Sequence, residues 1–334
     1  MQRPVAFFSL TLLALILALI VVVLGAYTRL SDAGLGCPDW PGCYGNLAVP
    51  DAEHEMQQAN AAFPDRPLHQ GKAWKEMIHR YAAGTLGLII LMLAILAWSN
   101  RRDTRQPIKV PMLLVAVVIF QALLGMWTVT LLLKPIVVTA HLLGGMLILV
   151  LLFWLLLGQF FHGTAPPGTR DRLLPWAIFG VVVVTAQIFL GGWTSANYAA
   201  VICPEFPTCR AGDWWPEPDF AEGFVFWSGL GVDYEGGVLG VDGRTAVQLA
   251  HRVGALVTVL VLLAVAVRAW FGQGHRSRVT SCAVLVLLCV QVGFGIANVL
   301  MVRPLLIAVA HNAVAGLLLL SLVALLYTAV ARRR

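Results

Sequence analysis

Four histidines lie inside long apolar segments, where an ionisable side chain is costly and indicates function. They form two pairs, His79 with His141 and His251 with His311. Each follows the predicted start of its segment by about five or six residues, which at 1.5 Å per residue predicts a shared depth of roughly 8 Å. For one such histidine, a hydrogen bond between helices is an alternative with real weight. Four at a matched depth, in two pairs, indicate a bound ligand.

Each site offers only two histidines, which favours a flat ligand held between them over a single metal ion. Zinc takes three or four His, Cys or carboxylate ligands around one ion, whereas each pair offers two imidazoles from two different helices. Two axial imidazoles suit an iron porphyrin, so the sequence predicts one haem-type site for each pair. No Cys-x-x-Cys-His motif occurs, and the haem is therefore expected to be non-covalent. A proton relay in a transporter is the competing interpretation.

The residues next to the histidines differ between the two pairs. Glu76 lies three residues before His79, on the same helix face, whereas Gln248 has the matching place before His251. A carboxylate beside a macrocycle can act as a base or stabilise positive charge, and a glutamine can do neither. This asymmetry predicts a reactive N-terminal site and a stable redox site in the C-terminal half. The alternative role of Glu76 is to cap its helix.

Two arginines, Arg80 and Arg252, directly follow His79 and His251. Near the membrane boundary a guanidinium can pair with a haem propionate. It can equally extend towards the lipid headgroups, and the sequence leaves both roles open.

Two cysteine pairs have the same spacing, Cys37 with Cys43 and Cys203 with Cys209. Both lie in long loops that are predicted to face outward, where disulfides form and persist. We therefore expect the disulfides Cys37–Cys43 and Cys203–Cys209. A metal site of four cysteines is the alternative, although zinc pairs use a shorter spacing.

The composition identifies the elements that must position these residues. The 334-residue chain is 59% apolar and 12% charged, with a mean hydropathy of +0.81. Soluble domains carry about 25% charged residues, so a soluble enzyme, a disordered protein and a nucleic-acid binder all fit poorly. A membrane-spanning helix needs about 20 apolar residues. Eight segments qualify, approximately 5–28, 74–98, 111–132, 136–158, 174–195, 247–270, 279–301 and 305–330.

The charges predict the orientation in the membrane. Two long loops, about 30–73 and 196–246, hold 14 of the 17 acidic residues. The opposite side holds 13 of the 23 basic residues, from Arg3 to the terminal Arg334. Because cytoplasmic loops carry the excess of Lys and Arg, both termini are predicted to be cytoplasmic and the long loops to face outward. We expect a bacterial inner-membrane protein.

The two halves resemble each other at an offset of about 166–172 residues, which brings both cysteine pairs and all four histidines into register. The predicted fold is an all-α membrane protein with eight transmembrane helices. These form two tandem four-helix bundles, residues 1–160 and 173–334, related by a pseudo-twofold axis along the membrane normal. The first half contains the substrate site and the second half the redox site.

In its motifs the chain resembles the haem A synthase family, membrane enzymes that oxidise the C8 methyl group of haem O to a formyl group. The motifs are Glu76-Met77-Ile78-His79-Arg80, Thr139-Ala140-His141, Ala250-His251-Arg252 and Ala310-His311-Asn312, with a cysteine pair in the first long loop. The resemblance covers essentially the whole chain. It departs at no motif position, although only some members carry the second pair, Cys203 and Cys209.

The resemblance implies a role for each site residue. His251 and His311 ligate a resident haem b, while His79 and His141 mark the pocket for haem O. Glu76 is the catalytic carboxylate, and the Cys37–Cys43 disulfide lies near that pocket. Two histidines on the substrate iron leave no place there for oxygen, so we expect water to supply the oxygen atom and Glu76 to stabilise a cationic intermediate.

The expected partners are haem O and the lipid bilayer, with no nucleic acid. A haem O synthase, an electron donor and a second copy of the chain are further candidates. The main alternative function is a dihaem electron carrier, which predicts two equivalent sites and has no use for the difference between Glu76 and Gln248. A transporter or a non-catalytic assembly factor explains the four histidines less well.

Overall fold

The structure, a computed structural model, describes residues 5–160, 173–227, 229, 231–271 and 275–331. Within these ranges the helices are α1 (Val5–Leu30), α2 (Glu53–Ala62), α3 (Gln70–Ser99), α4 (Lys109–Thr130), α5 (Pro135–Phe160), α6 (Leu174–Ala196), α7 (Phe220–Gly223), α8 (Val241–Trp270), α9 (His275–Leu300) and α10 (Leu305–Ala331). All but the short α2 and α7 are long and apolar enough to cross a membrane. This confirms the predicted all-α membrane protein with eight spans.

Two of the histidine-bearing helices begin at least four residues earlier than hydropathy predicts. The predicted starts are 74 and 247, but α3 begins at Gln70 and α8 at Val241. The imidazole of His69 caps α3 by accepting the N–H of Lys72. Hydropathy misses these first turns because they are polar. The count of five or six residues from the helix start therefore holds for His141 and His311, but it is wrong for His79 and His251.

Helix contacts in the second half repeat those in the first. Helix α1 packs on α3 and α5, and α4 packs on α3 and α5; likewise α6 packs on α8 and α10, and α9 packs on α8 and α10. The halves meet through α1 with α10, α5 with α6, and α5 with α10, around fully buried leucines such as Leu149, Leu152 and Leu322. These contacts agree with two tandem bundles, and the pseudo-twofold axis stays a prediction.

The backbone also repeats at the ends of the helices. Asp32 and Tyr198 follow α1 and α6 with φ of 51° and 53°. Leu133 and Arg303 precede α5 and α10 with φ of 61° and 56°. The same unusual left-handed conformation at matching places agrees with a duplicated unit.

The second long loop packs against the first half of the chain. Arg66 in the first loop binds Asp233 at 2.7 Å and Glu235 at 2.9 Å. The buried Tyr234 donates its N–H to the carbonyl of Leu132 at 3.1 Å. Lys134 is also buried, with Nζ 3.4 Å from the ring centroid of Trp227. The loops therefore join the two halves at one end of the bundle, which we call the loop end.

The predicted orientation in the membrane depends partly on residues that lie outside the described ranges. These are Arg3, Arg170, Arg172 and the three C-terminal arginines, Arg332, Arg333 and Arg334.

Candidate functional site

The first histidine pair lies between α3 and α5. The ring centroids of His79 and His141 are 6.4 Å apart, and the ring planes are 84° to each other. Both residues are partly exposed, although Nδ1 of each ring is buried and has no hydrogen-bond partner among the described residues. The accessible part of each ring is therefore away from Nδ1.

The second pair lies between α8 and α10 and has more polar partners. Nδ1 of His251 is 3.0 Å from Nε2 of Gln187, which also donates to the backbone carbonyl of His251 at 3.0 Å. Nε2 of His311 is 3.3 Å from Nε2 of Gln291. Gln187 is not among the site residues predicted from the sequence. At the offset that aligns the cysteine pairs its counterpart is Val21, and that difference was available in the sequence.

The spacing of the first histidine pair fits a haem held between two imidazoles. Metal–imidazole bonds are about 2.0–2.1 Å long, so two rings on opposite sides of one ion have centroids about 6 Å apart. The 6.4 Å between His79 and His141 agrees with this spacing. In the described part of the chain, no cluster of three or more His, Cys, Asp or Glu side chains could hold a metal ion. Pairs of imidazoles are the donor set of a haem with two axial histidines.

Glu76 is held by hydrogen bonds on both carboxylate oxygens. Oε2 accepts the backbone N–H of Cys37 at 2.9 Å, and Oε1 accepts Nη2 of Arg80. Glu76 and Gln248 are equally buried, each 4% exposed. Oε1 of Gln248, however, accepts no hydrogen bond from any residue that the structure describes. The predicted asymmetry is therefore one of hydrogen bonding as well as of charge.

Glu76 does not cap its helix. The N-cap of α3 is His69, and Glu76 lies about two turns further along. The alternative interpretation of Glu76 as a helix cap is therefore wrong.

Both arginines bind the disulfide loop of their own half. Nη1 of Arg80 donates to the carbonyls of Asp39 at 3.0 Å and of Gly42. Arg252 donates to the carbonyls of Cys203 at 2.9 Å and Thr208 at 2.8 Å. These guanidinium nitrogens of Arg80 and Arg252 are bound to loop carbonyls. The interaction of the two arginines with haem propionates therefore stays a prediction.

The cysteines form the two expected disulfides, Cys37–Cys43 and Cys203–Cys209, and all four are fully buried. This confirms the predicted pairing and excludes the metal site of four cysteines. The two closed segments, residues 37–43 and 203–209, are called the disulfide loops below.

An acidic side chain stabilises the turn of each disulfide loop. The carboxylate of Asp39 accepts the N–H groups of Tyr44 and Gly45 at 2.6 and 2.8 Å. Glu205 accepts the N–H groups of Ala211 and Gly212 at 2.9 and 3.0 Å. The hydrogen bond from Gly212, with that from the Thr208 hydroxyl, lowers the pKa of Glu205. Both loops are therefore held by the same device, although only the first contacts a carboxylate on a spanning helix.

Comparison with known proteins shows the family. Residues 9–323 match the COX15-CtaA family model, described as cytochrome oxidase assembly protein. The chain belongs to this family. It is 44% identical over 316 residues to the haem A synthase of Shewanella oneidensis, with 94% of each chain covered.

More distant relatives carry the same name. The haem A synthase of Rhizorhabdus wittichii is 30% identical over 339 residues, covering 96% of this chain and 93% of the relative. That of Chelativorans sp. is 28% identical over 317 residues, covering 90% and 84%. The resemblance to haem A synthases that the motifs indicate is confirmed.

Proposed function

We propose that this member of the COX15-CtaA family is a haem A synthase, which oxidises the C8 methyl group of haem O to a formyl group. The observation that carries the proposal is the position of the Glu76 carboxylate. Its two oxygens accept hydrogen bonds from the Cys37 amide and from Arg80, and it lies on the same helix as His79 of the first histidine pair. The family and the names of the relatives support it.

The two histidine pairs have different roles in this proposal. His79 and His141 hold the substrate haem O, and His251 and His311 hold a resident haem b. A bound haem b supplies one-electron transfer. Gln187 orients His251 through its contact with Nδ1, as partners of metal-ligating histidines commonly do.

Glu76 provides the chemistry that the second half lacks. Conversion of a methyl to a formyl group with water releases four electrons and four protons, which leave to an electron acceptor and to solvent. Positive charge develops at the methyl carbon as electrons leave, and a fixed carboxylate stabilises it. Glu76 can also accept a proton from the carbon or from the attacking water. Arg80 and the Cys37 amide hold its two oxygens in place for this role.

In this proposal the protein spans the bacterial inner membrane, with both termini in the cytoplasm and the loop end outside. The distribution of Lys and Arg supports this orientation. The two disulfides at the loop end support it as well, because such bonds persist in oxidising compartments. A haem O synthase would supply the substrate.

The proposal is tested by identifying the bound haems. The full chain is purified from a membrane host that makes haem O, and its extracted haem is weighed by mass spectrometry. Haem B together with haem O, haem A or the intermediate alcohol is the expected result. Haem B alone would favour the dihaem electron carrier, and no haem would overturn the ligand assignment of all four histidines.

Opening the first disulfide should impair the chemistry more than opening the second. The double variant Cys37→Ser/Cys43→Ser removes the disulfide that closes the loop whose Cys37 amide binds Glu76. A disulfide typically contributes about 2–4 kcal/mol to the free energy of unfolding. We expect about tenfold less haem A per protein, because a displaced carboxylate stabilises the reacting carbon less well. Bound haem b should be unchanged. The measurement is chromatography of extracted haems.

The matched control is Cys203→Ser/Cys209→Ser, which opens the disulfide loop that does not contact Glu76. It should keep haem A formation within about twofold of wild type, since loop changes far from the reacting group act weakly. Equal losses in the two double variants would show that the disulfides act on folding rather than on Glu76.

A further inference from the structure

A glycine on a neighbouring helix lies against each of the four helix histidines. The pairs are Gly25 with His79, Gly125 with His141, Gly191 with His251, and Gly295 with His311. In every pair it is the Cε1 edge of the imidazole that meets the glycine. Each glycine is on the helix that packs beside its histidine, α1 on α3, α4 on α5, α6 on α8 and α9 on α10.

These contacts leave little room for a side chain. A methyl group on Gly25 would lie 2.9 Å from Cε1 of His79, closer than real Cβ contacts. On Gly191 or Gly295 it would lie 3.3 Å from Cε1 of the facing histidine, and on Gly125 it would lie 3.4 Å from His141. An alanine at Gly25 must therefore displace the ring or separate the helices, and at the other three positions the ring must give by up to a few tenths of an ångström.

The contacts accompany a lack of hydrogen bonds at Nδ1. Nδ1 is buried in His79, His141 and His311 and makes no hydrogen bond of good geometry among the described residues. The three rings instead make weak backbone contacts one turn before the facing glycine, with Val21, Gln121 and Gln291 respectively. A metal-ligating histidine is usually oriented through its second ring nitrogen, by a carboxylate, carbonyl or water. Here the backbone of the glycine-bearing helix, at the glycine and one turn before it, is the surface against which these rings lie. Close approach of helices at small residues is common in membranes, but it does not explain why a histidine is the neighbour all four times.

We propose that Gly25, Gly125, Gly191 and Gly295 are positioning residues that set the ring orientation of the four histidines. This inference depends on the proposed function, since it assigns the orientation of the haem ligands. The plane and position of an axial imidazole affect the electronic state of the iron that it binds. An alanine at one of these positions should therefore change the properties of a bound haem even where the fold is retained.

The chain contains two kinds of matched control. Gly180 on α6 is equally confined, with a methyl group there 3.3 Å from Cδ2 of Leu322, but no histidine lies near it. Gly293 on α9, two residues before Gly295, is unconfined, since a methyl group there would meet no described atom within 4 Å. Gly180→Ala therefore measures the effect of steric crowding where no histidine is involved. Gly293→Ala measures the effect of replacing a glycine in a spanning helix where there is no crowding.

The experiment uses the full chain purified with its haem. For the second half, Gly191→Ala and Gly295→Ala are compared with both controls by electron paramagnetic resonance of the ferric haem, by its midpoint potential and by thermal unfolding. We expect both histidine-facing variants to shift the resonance and the potential. Gly180→Ala should lower only the thermal stability, and Gly293→Ala should match wild type.

For the first half, Gly25→Ala and Gly125→Ala are assayed for turnover of haem O and for the signal of the resident haem. Displacing a positioned group by less than 1 Å can cost about 100-fold in rate. We expect kcat/KM to fall at least about tenfold in Gly25→Ala. The fall in Gly125→Ala should be smaller, because its contact is looser. The resonance of the resident haem should be unchanged in both.

Each outcome separates this inference from the proposed function. Wild-type protein without haem overturns the proposed function. Wild-type protein with haem, and histidine-facing variants that behave like Gly180→Ala in every readout, overturn the role of the glycines alone. If Gly25→Ala fails to accumulate, Gly125→Ala decides the first half, since it requires its histidine to move by only a few tenths of an ångström.

Discussion

Replacing Glu76 by glutamine should lower haem A formation by about 100-fold, the usual cost of removing one electrostatic group from a catalytic site. The amide keeps the shape of the side chain but cannot carry negative charge. It also turns an N–H group towards either Arg80 or the Cys37 amide, both of which are donors. The measurement is haem A per purified protein, from a host that supplies haem O, with the haem b content as an internal reference.

The reciprocal variant is the control for this experiment. Gln248→Glu places a carboxylate at the matching position of the second half, where the Oε1 of glutamine has no hydrogen-bond partner among the described residues. We expect no gain of haem A formation, because the haem in that half is not the substrate. Haem A at the wild-type level in Glu76→Gln would remove Glu76 from the chemistry.

Replacing one of the four helix histidines should remove the haem from its own half of the protein and leave the haem of the other half bound. His311→Ala removes one of the two imidazoles that would hold the resident haem, and leaves only His251 of the pair as a nitrogen donor. We expect the haem b content to fall to about a tenth of wild type or less, which corresponds to at least about 1.4 kcal/mol of lost binding. The pyridine haemochrome spectrum of the purified protein measures it. His54→Ala, an exposed position on α2, is the control.

The matching variant in the first half is His141→Ala. It should retain haem b and lose haem O and haem A, because the pair with His79 is broken. If instead His141→Ala loses haem b and His311→Ala retains it, the two sites have been assigned to the wrong halves. This pair of variants therefore tests the assignment of sites independently of the chemistry at Glu76.

Features that depend on local composition were predictable from the sequence. The eight spans follow from runs of apolar residues long enough to cross a bilayer, and the structure confirms them. The disulfides Cys37–Cys43 and Cys203–Cys209 follow from short spacing within one loop. The histidine pairs and the difference between Glu76 and Gln248 follow from comparing the chain with itself, which needs no knowledge of packing.

Hydropathy was less informative where polar residues continue a helix. The first turns of α3 and α8 contain charged residues, and α2 lies within an acidic loop. Their helical conformation depends on local caps such as His69, which a hydropathy average does not register.

Contacts between distant segments could be seen only once the helices were packed together. Arg80 and Arg252 could have met a propionate, a headgroup or a carbonyl, and their binding to the disulfide loops depends on how those loops fold back. The second long loop belongs to the second half in sequence, yet Tyr234 binds the backbone of Leu132. The glycine–histidine contacts join separate helices in the same way. No local pattern contains such information, because a side chain's partner across the bundle is set by the relative placement of whole helices. The order of residues therefore specifies which groups are present and on which helix, whereas packing sets what each of them touches.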